Sequence, residues 1–321
     1  MSCGIETYYL SQFLFSIIII MFFHLMRQGD GMCEIVDHLE LNEAIWRNHY
    51  QIITAAEDDV DCINPQFYGS AFRLQYRGKN WLVSADHVLH PEKHGLVEVP
   101  EGVNADEIEH RYFLVNNINA TDRIATIFTK LFGFYFYNVY DDTLSDLTEE
   151  ELKELGATDE DFWKRIDVSF CDISAGLPEQ ALTHDLHDKY GNLVVKPGLP
   201  KLSLLPESVA EPSTDKTYYD FGVVGNHIEE GIRFCRTNAP YGGLRFIEAK
   251  NGLYRFQCPF QVVYDNWAAL SGSLMFDSDG FSVGMSVRVD PDMDSVWVMP
   301  MKTILRLIDY AIAHENSNLV R

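Results

Sequence analysis

Phe67-Tyr68-Gly69-Ser70-Ala71-Phe72-Arg73-Leu74-Gln75-Tyr76, then Arg77-Gly78-Lys79, then Asn80-Trp81-Leu82-Val83-Ser84-Ala85-Asp86-His87-Val88: this stretch decides how the rest of the chain is read. Two short runs rich in aromatic and branched residues flank a glycine-containing break, the pattern of a β-hairpin. The second arm ends on His87, so an imidazole leaves an apolar strand at the edge of a sheet. Further out, strand-like runs recur at 111–117, 166–173, 218–225, 232–237, 244–249, 253–260, 272–277, 281–287 and 295–300. Many short strands punctuated by turns predict an all-β sandwich or barrel rather than βαβ units.

Three stretches break that rhythm. Leu39 to Ala56 is helix-compatible and leads into an acidic link, Glu57 to Asp61. Ser145 to Ile166 is expected to be a helical insertion. Thr148 with Glu151 has the spacing of a capping box, Gly156 is a stop, and Thr158 with Asp161 offers a second start. Lys302 to His314 carries Ile304, Leu307, Ile308, Ala311 and Ile312 at helical spacing and is expected to pack on the sheets as a closing amphipathic helix. No internal repeat is evident in the residues.

The chain has 321 residues, 46% of them hydrophobic and 13% aromatic, which fits a folded protein and not a low-complexity one. Its net charge of −23 argues against a nucleic-acid partner, because a phosphate backbone is recognised chiefly by Lys and Arg. Cys3, Cys33, Cys62, Cys171, Cys235 and Cys258 lie at scattered spacings with no CxxC pair, and read as free thiols in a reducing compartment.

Tyr8 to Met26 is nearly uncharged and long enough to span a bilayer core of roughly 30 Å as a helix. A cleaved signal peptide fits poorly, since Met1 to Thr7 has no Lys or Arg and contains Glu6. Read as an anchor, with Arg27 on its C-terminal side, this segment leaves the bulk of the chain in the cytoplasm, at the inner membrane. The alternative is translation from Met32 and a cytoplasmic protein.

Three segments carry chemistry. The first is Gly69-Ser70-Ala71-Phe72 with the strand that ends at His87. The second is Ile166-Asp167-Val168-Ser169-Phe170, an acid at the start of an apolar strand, where an ionised carboxylate needs a partner. The third is Leu270-Ser271-Gly272-Ser273-Leu274-Met275-Phe276, a small-residue turn feeding a hairpin at Asp279-Gly280.

In that order these segments resemble the trypsin-like serine peptidases, especially the disulfide-poor bacterial type. GSAF is similar to the family's G-[ST]-[AG]-F strand, LVSADHV to its [LV]-[ST]-A-x-H-V segment, DVSF to D-[IV]-[AS], and SGSLMF to the S-G-[GS]-P-[LVM]-[FY] nucleophile turn. The resemblance runs from about Tyr68 to the C-terminal helix. It implies two packed antiparallel β-barrels of the chymotrypsin type, with a helical insertion and a C-terminal helix. The expected layout is an apolar segment over 1–31, a partly helical lead-in over 32–66, a first barrel over 67–180 with its insertion at 145–166, a second barrel over 181–301, and a helix and tail over 302–321.

The implied activity is endopeptidase hydrolysis of a peptide or protein substrate, without cofactor or metal. His87 is the implied base, Asp167 its orienting acid and Ser271 the nucleophile, with the N–H groups of Ala269 and Ser271 facing the oxyanion.

The match departs from the family at Ala269, where a Gly is expected, at Leu270, where zymogen-derived members carry Asp, and at Leu274, where Pro is expected. Ala in a left-handed backbone costs roughly 1–2 kcal/mol, which motivates a rival reading: an inactive domain of the same fold that binds peptides through its cleft. Asp265, six residues before Ser271, stands where a pocket-floor acid selects Lys or Arg. His90 and His94, and His184 with His187, do not read as metal sites, the first pair because Pro91 breaks helical spacing.

Overall fold

The computed structural model describes residues 39–120, 123–131, 136, 166–177, 186–187, 193–195, 200–229 and 233–314. The apolar segment at 8–26, Met32 and the insertion at 145–165 lie outside them, as do Cys3, Cys33 and His184. Among the described residues no helix is long and apolar enough to cross a membrane.

The chain opens with helix α1 (Leu39–Asn48), which buries Leu41 and Ile45. It then lays down β1 (Tyr50–Ala56), β2 (Pro65–Tyr76), β3 (Lys79–Ser84), β4 (His110–Ala120), β5 (Arg123–Lys130) and β6 (Ser169–Asp172). These pair in the order β5-β4-β1-β2-β3-β6, and β9 (Ser203–Leu204) adds to β2 in parallel. A separate pair, β7 (Leu186–His187) and β8 (Leu193–Val195), precedes it. The second unit comprises β10 (Tyr218–Glu229), β11 (Arg233–Lys250), β12 (Leu253–Gln257), β13 (Leu274–Asp277), β14 (Ser282–Asp290) and β15 (Ser295–Pro300). It closes as a barrel in the order β10-β11-β12-β15-β14-β13.

Counted within each unit, both follow one cyclic order of six strands, 1-2-3-6-5-4. The first unit differs in that its fifth and sixth strands, β5 and β6, do not pair among the described residues and in that β9 is added to β2. A repeated six-strand antiparallel topology with a terminal helix is the all-β chymotrypsin-like fold.

The helix-compatible reading of Leu39 to Ala56 holds only as far as Asn48. Tyr50–Ala56 is a strand between β2 and β4, so the first sheet begins well before residue 67. Its run Tyr-Gln-Ile-Ile-Thr is β-branched and almost wholly buried, and packing on both faces outweighs any helical preference. The hairpin read from the sequence is present, with Tyr76 opposite Lys79 across a two-residue turn.

The units share one core. Phe72, Trp81, Leu82, Val83 and Phe170 from the first sheet belong to the same buried cluster as Tyr219, Phe221, Phe276 and Met285 from the second. Two helices strengthen the join. Trp46 of α1 packs on Phe221 with ring centroids 4.2 Å apart. Helix α4 (Met301–His314), the one expected at 302–314, buries Met301, Ile304, Leu307, Ile308 and Ala311. The Met, Ile and Leu side chains among them each contribute about 1.5–3 kcal/mol relative to exposure. The outer face of α4 reaches the hairpin of the other unit: Asp309 accepts from Arg77 Nε (2.7 Å) and from the Tyr76 hydroxyl (2.8 Å).

Cys62, Cys171 and Cys258 are free and buried; burial pushes all three thiols up, that of Cys62 to about 12. The side chain of Cys235 is not among those described.

Candidate active site

His87 sits on a single helical turn, α2 (Asp86–Leu89), that leaves the end of β3. The turn is seated against β2 at Gly69, where an added Cβ would lie 2.4 Å from Val88 Cγ1, so only glycine permits the approach. From below, the Thr54 hydroxyl donates to the Val88 carbonyl at 2.6 Å. Asp167 precedes β6, between Ile166 and Val168, both buried. It accepts twice from His87, from the backbone N–H at 2.8 Å and from Nδ1 at 2.5 Å. Donation from Nδ1 leaves Nε2, on the far side of the ring, as the lone-pair nitrogen of the neutral imidazole.

Ser271 lies on the turn between helix α3 (Tyr264–Trp267) and β13. Gly272 has φ +93°, and a Cβ there would stand 1.9 Å from the Ser70 carbonyl oxygen. The turn is fastened on both sides. Ser70 N–H donates to the Ser271 carbonyl and Ser70 Oγ to the Ala269 carbonyl, both at 2.8 Å. Gly272 N–H donates to the Ser286 carbonyl (2.8 Å) and Ser273 N–H to the Leu270 carbonyl (2.8 Å). None of these bonds uses the N–H of Ala269 or of Ser271.

His87, Asp167 and Ser271 line one cavity of about 450 Å³, within the usual size of a small-ligand site. Its wall continues through Trp267, Leu270, Ser286, Val287, Val296 and Trp297. The three expected site residues therefore line one cavity, where the first sheet faces the barrel; Asp167 and His87 are hydrogen-bonded, and no hydrogen bond joins His87 to Ser271.

Ala269 is not in the left-handed region. A right-handed turn closed by Leu270 N–H on the Trp267 carbonyl (2.9 Å) holds it without strain in this state.

The expectation for Asp265 is corrected. Its side chain is exposed on the first turn of α3 and is not among the described residues that line the cavity. A short helix, rather than an extended loop, carries residues 264–267 and turns that side chain to solvent.

His90 and His94 hold a buried carboxylate. Asp86, 2% exposed, accepts from His90 Nδ1 (2.8 Å), His94 Nε2 (2.7 Å) and the Ser169 hydroxyl. Burial pushes the Asp86 carboxyl up, but the bonds from His90 and His94 more than offset it and hold the group well below the carboxylate range. His94 also edges onto His87, with ring centroids 5.9 Å apart, and joins the cavity wall. Beside them Glu92 accepts from His110 Nε2 at 2.8 Å.

One group escaped sequence reasoning altogether. Asp220 on β10 is 1% exposed and accepts from the hydroxyls of Ser273 (2.5 Å) and Ser286 and from Phe221 N–H (2.7 Å). Burial pushes its carboxyl up to about 7, against the lowering effect of those three bonds. Ser273 is two residues past Ser271, so this carboxyl lies beneath the same turn. The signal was present in Tyr218-Tyr219-Asp220-Phe221, an acid inside an apolar strand, the same signal that singled out Asp167.

No family model matches the chain, and no curated protein matches it. Solved structures that do include a serine endoprotease from Yersinia pestis, at 11% identity and TM-score 0.41, over 86% of this chain and 68% of that one. The active form of the Rv3671c protease from M. tuberculosis gives 12% identity and TM-score 0.39, over 88% and 87%. The MamO protease domain from Magnetospirillum magneticum gives 8% and 0.35, over 84% and 97%.

Proposed function

We propose that this chain is a serine endopeptidase. The observation that carries the reading is the doubly hydrogen-bonded Asp167–His87 pair on the wall of a cavity that Ser271 shares. In the proposed reaction His87 Nε2 takes the proton of the Ser271 hydroxyl as its oxygen attacks a peptide carbonyl. The N–H groups of Ala269 and Ser271 stabilise the resulting oxyanion, and the proton passes to the leaving amine. Water then releases the acyl group by the same route. Asp167 holds the imidazole tautomer and stabilises its cation.

The barrel also supports binding of an extended chain. Strand β13 pairs with β14 only as far as Met285, and Ser286 bonds the nucleophile turn. Beyond it Val287, Arg288 and Val289 line the cavity, and Arg288 and Val289 pair on their other edge with β15. An edge of this kind accepts a peptide as an added strand.

A fluorophosphonate probe tests the proposal. Covalent labelling at Ser271 that disappears in His87→Ala is the expected result. Folded wild-type protein that takes no label overturns it and favours the inactive, peptide-binding reading.

A further inference from the structure

The cavity changes character from floor to lip. Trp267, Leu270, Val287, Val296 and Trp297 are buried and apolar, whereas Lys250 and Arg288 stand exposed at its mouth. Lys250 ends β11 at the hairpin where it faces Leu253. Arg288 lies 5.6 Å over the Trp297 ring, a cation–π contact that fixes its direction. The neighbouring Arg255, over the same ring, is held by Glu248 at 2.8 Å. Among the described residues neither Lys250 nor Arg288 forms an ion pair, in a chain with 48 acidic residues to 25 Lys and Arg. Of the acids on or beside the cavity wall, Asp167 is hydrogen-bonded to His87 and Asp86 to His90 and His94, while Asp265 lies exposed next to the lining residue Tyr264. The mouth thus carries two positive charges without an ion-pair partner among the described residues, on a chain of net charge −23.

We propose that the cavity takes protein segments in which an apolar side chain is flanked by acidic residues. The apolar side chain fills the well, and Lys250 and Arg288 meet the flanking carboxylates. The inference names a substrate class for the peptidase reading and rests on it for the chemistry, but not for binding. Whole-molecule charge opposes an acidic peptide at long range. Screening limits that repulsion to about 8–10 Å at moderate salt, so the two local cations govern the docked state.

The test measures binding to Ser271→Ala protein by fluorescence anisotropy. Three short, C-terminally amidated, fluorescein-labelled peptides carry one Leu flanked by Glu, by Gln or by Lys; a fourth carries Gln and a free C-terminus. The Glu peptide is expected to bind about tenfold tighter than the Gln peptide, with the Lys peptide weakest. High salt and the double variant K250E/R288E are each expected to abolish the preference. Equal binding of Glu and Gln peptides, a preference for Lys, no binding of any peptide, or a preference that survives the double variant overturns the proposal. Tightest binding of the free-acid Gln peptide also overturns it, because the carboxylate recognised would then be a chain end. Fluorophosphonate labelling of the wild type, run in parallel, reports on the peptidase reading alone, so the two can fail separately.

Discussion

Asp220→Asn isolates the ionisation of one buried carboxyl. Burial sets that group at about 7, against an ordinary value of 3.8. At roughly 1.4 kcal/mol per pH unit, the gap amounts to about 4 kcal/mol. The sign follows from which state holds the proton. Below 3.8 both folded and unfolded chains are protonated, and ionisation leaves stability unaffected. Between 3.8 and about 7 the unfolded chain releases its proton while the folded one keeps it, so stability falls as pH rises. Above about 7 the loss is complete and constant. An amide does not titrate, and it still offers one acceptor and one donor pair to the Ser273 and Ser286 hydroxyls. Urea unfolding of wild type and D220N across this range gives the difference between them, in which other titrating groups cancel. That difference is expected to move in favour of the variant by about 4 kcal/mol from the acid to the alkaline end. A flat difference would show that Asp220 stays ionised throughout, and that its three hydrogen bonds outweigh its burial.

Other substitutions have outcomes of their own. Ser271→Ala abolishes turnover of a peptide substrate while thermal unfolding shifts by less than about 0.5 kcal/mol, since the hydroxyl holds no structural bond; undiminished cleavage refutes the nucleophile assignment. Ala269→Gly raises kcat/KM about 5- to 30-fold if forming the oxyanion site carries residue 269 into the left-handed region, which costs Ala about 1–2 kcal/mol; an unchanged rate in steady-state assays excludes that movement. Gly272→Ala costs about 3 kcal/mol or more, because its Cβ meets the Ser70 carbonyl oxygen at a positive φ, and calorimetry reads the loss. Asp86→Asn costs roughly 3–5 kcal/mol at neutral pH by leaving His90 and His94 without their carboxylate. The folded value of Asp86 is depressed, so its contribution is present above pH 3.8 and is lost as pH falls further; a variant as stable as wild type at neutral pH sinks the argument.

Local patterns explain what the sequence made legible. The hairpin of β2 and β3 was readable because turn chemistry and strand composition agree over adjacent residues, and α4 because five apolar residues fall on one helical face. His87, Asp167 and Ser271 each sit at a strand end in a distinctive small or apolar context, and they do share a cavity. Strand β1 was misread because Tyr50 to Ala56 is buried on both faces and so lacks the alternation that marks a half-exposed strand. Strand β5 is visible only in the sheet, through its pairing to β4. Asp265 failed for a different reason: counting residues back from a nucleophile presumes a loop conformation, and the α3 helix changes where that side chain points. The shared six-strand order of the two units left no repeat in the residues, since the order is set by which strands pair and not by which side chains they carry.

Ser70 gives the assembly a mechanical property. One residue of the first sheet grips the turn of Ser271 through its N–H and its hydroxyl, while its own carbonyl accepts from the Ser84 hydroxyl and its hydroxyl oxygen contacts His49 Nε2 at 3.0 Å. A clasp at that point ties the turn that carries Ser271 to the sheet that ends at His87, so the two halves cannot slide past each other there without breaking bonds of Ser70. The placement of Ser271 is thereby coupled to the first sheet through a single small side chain.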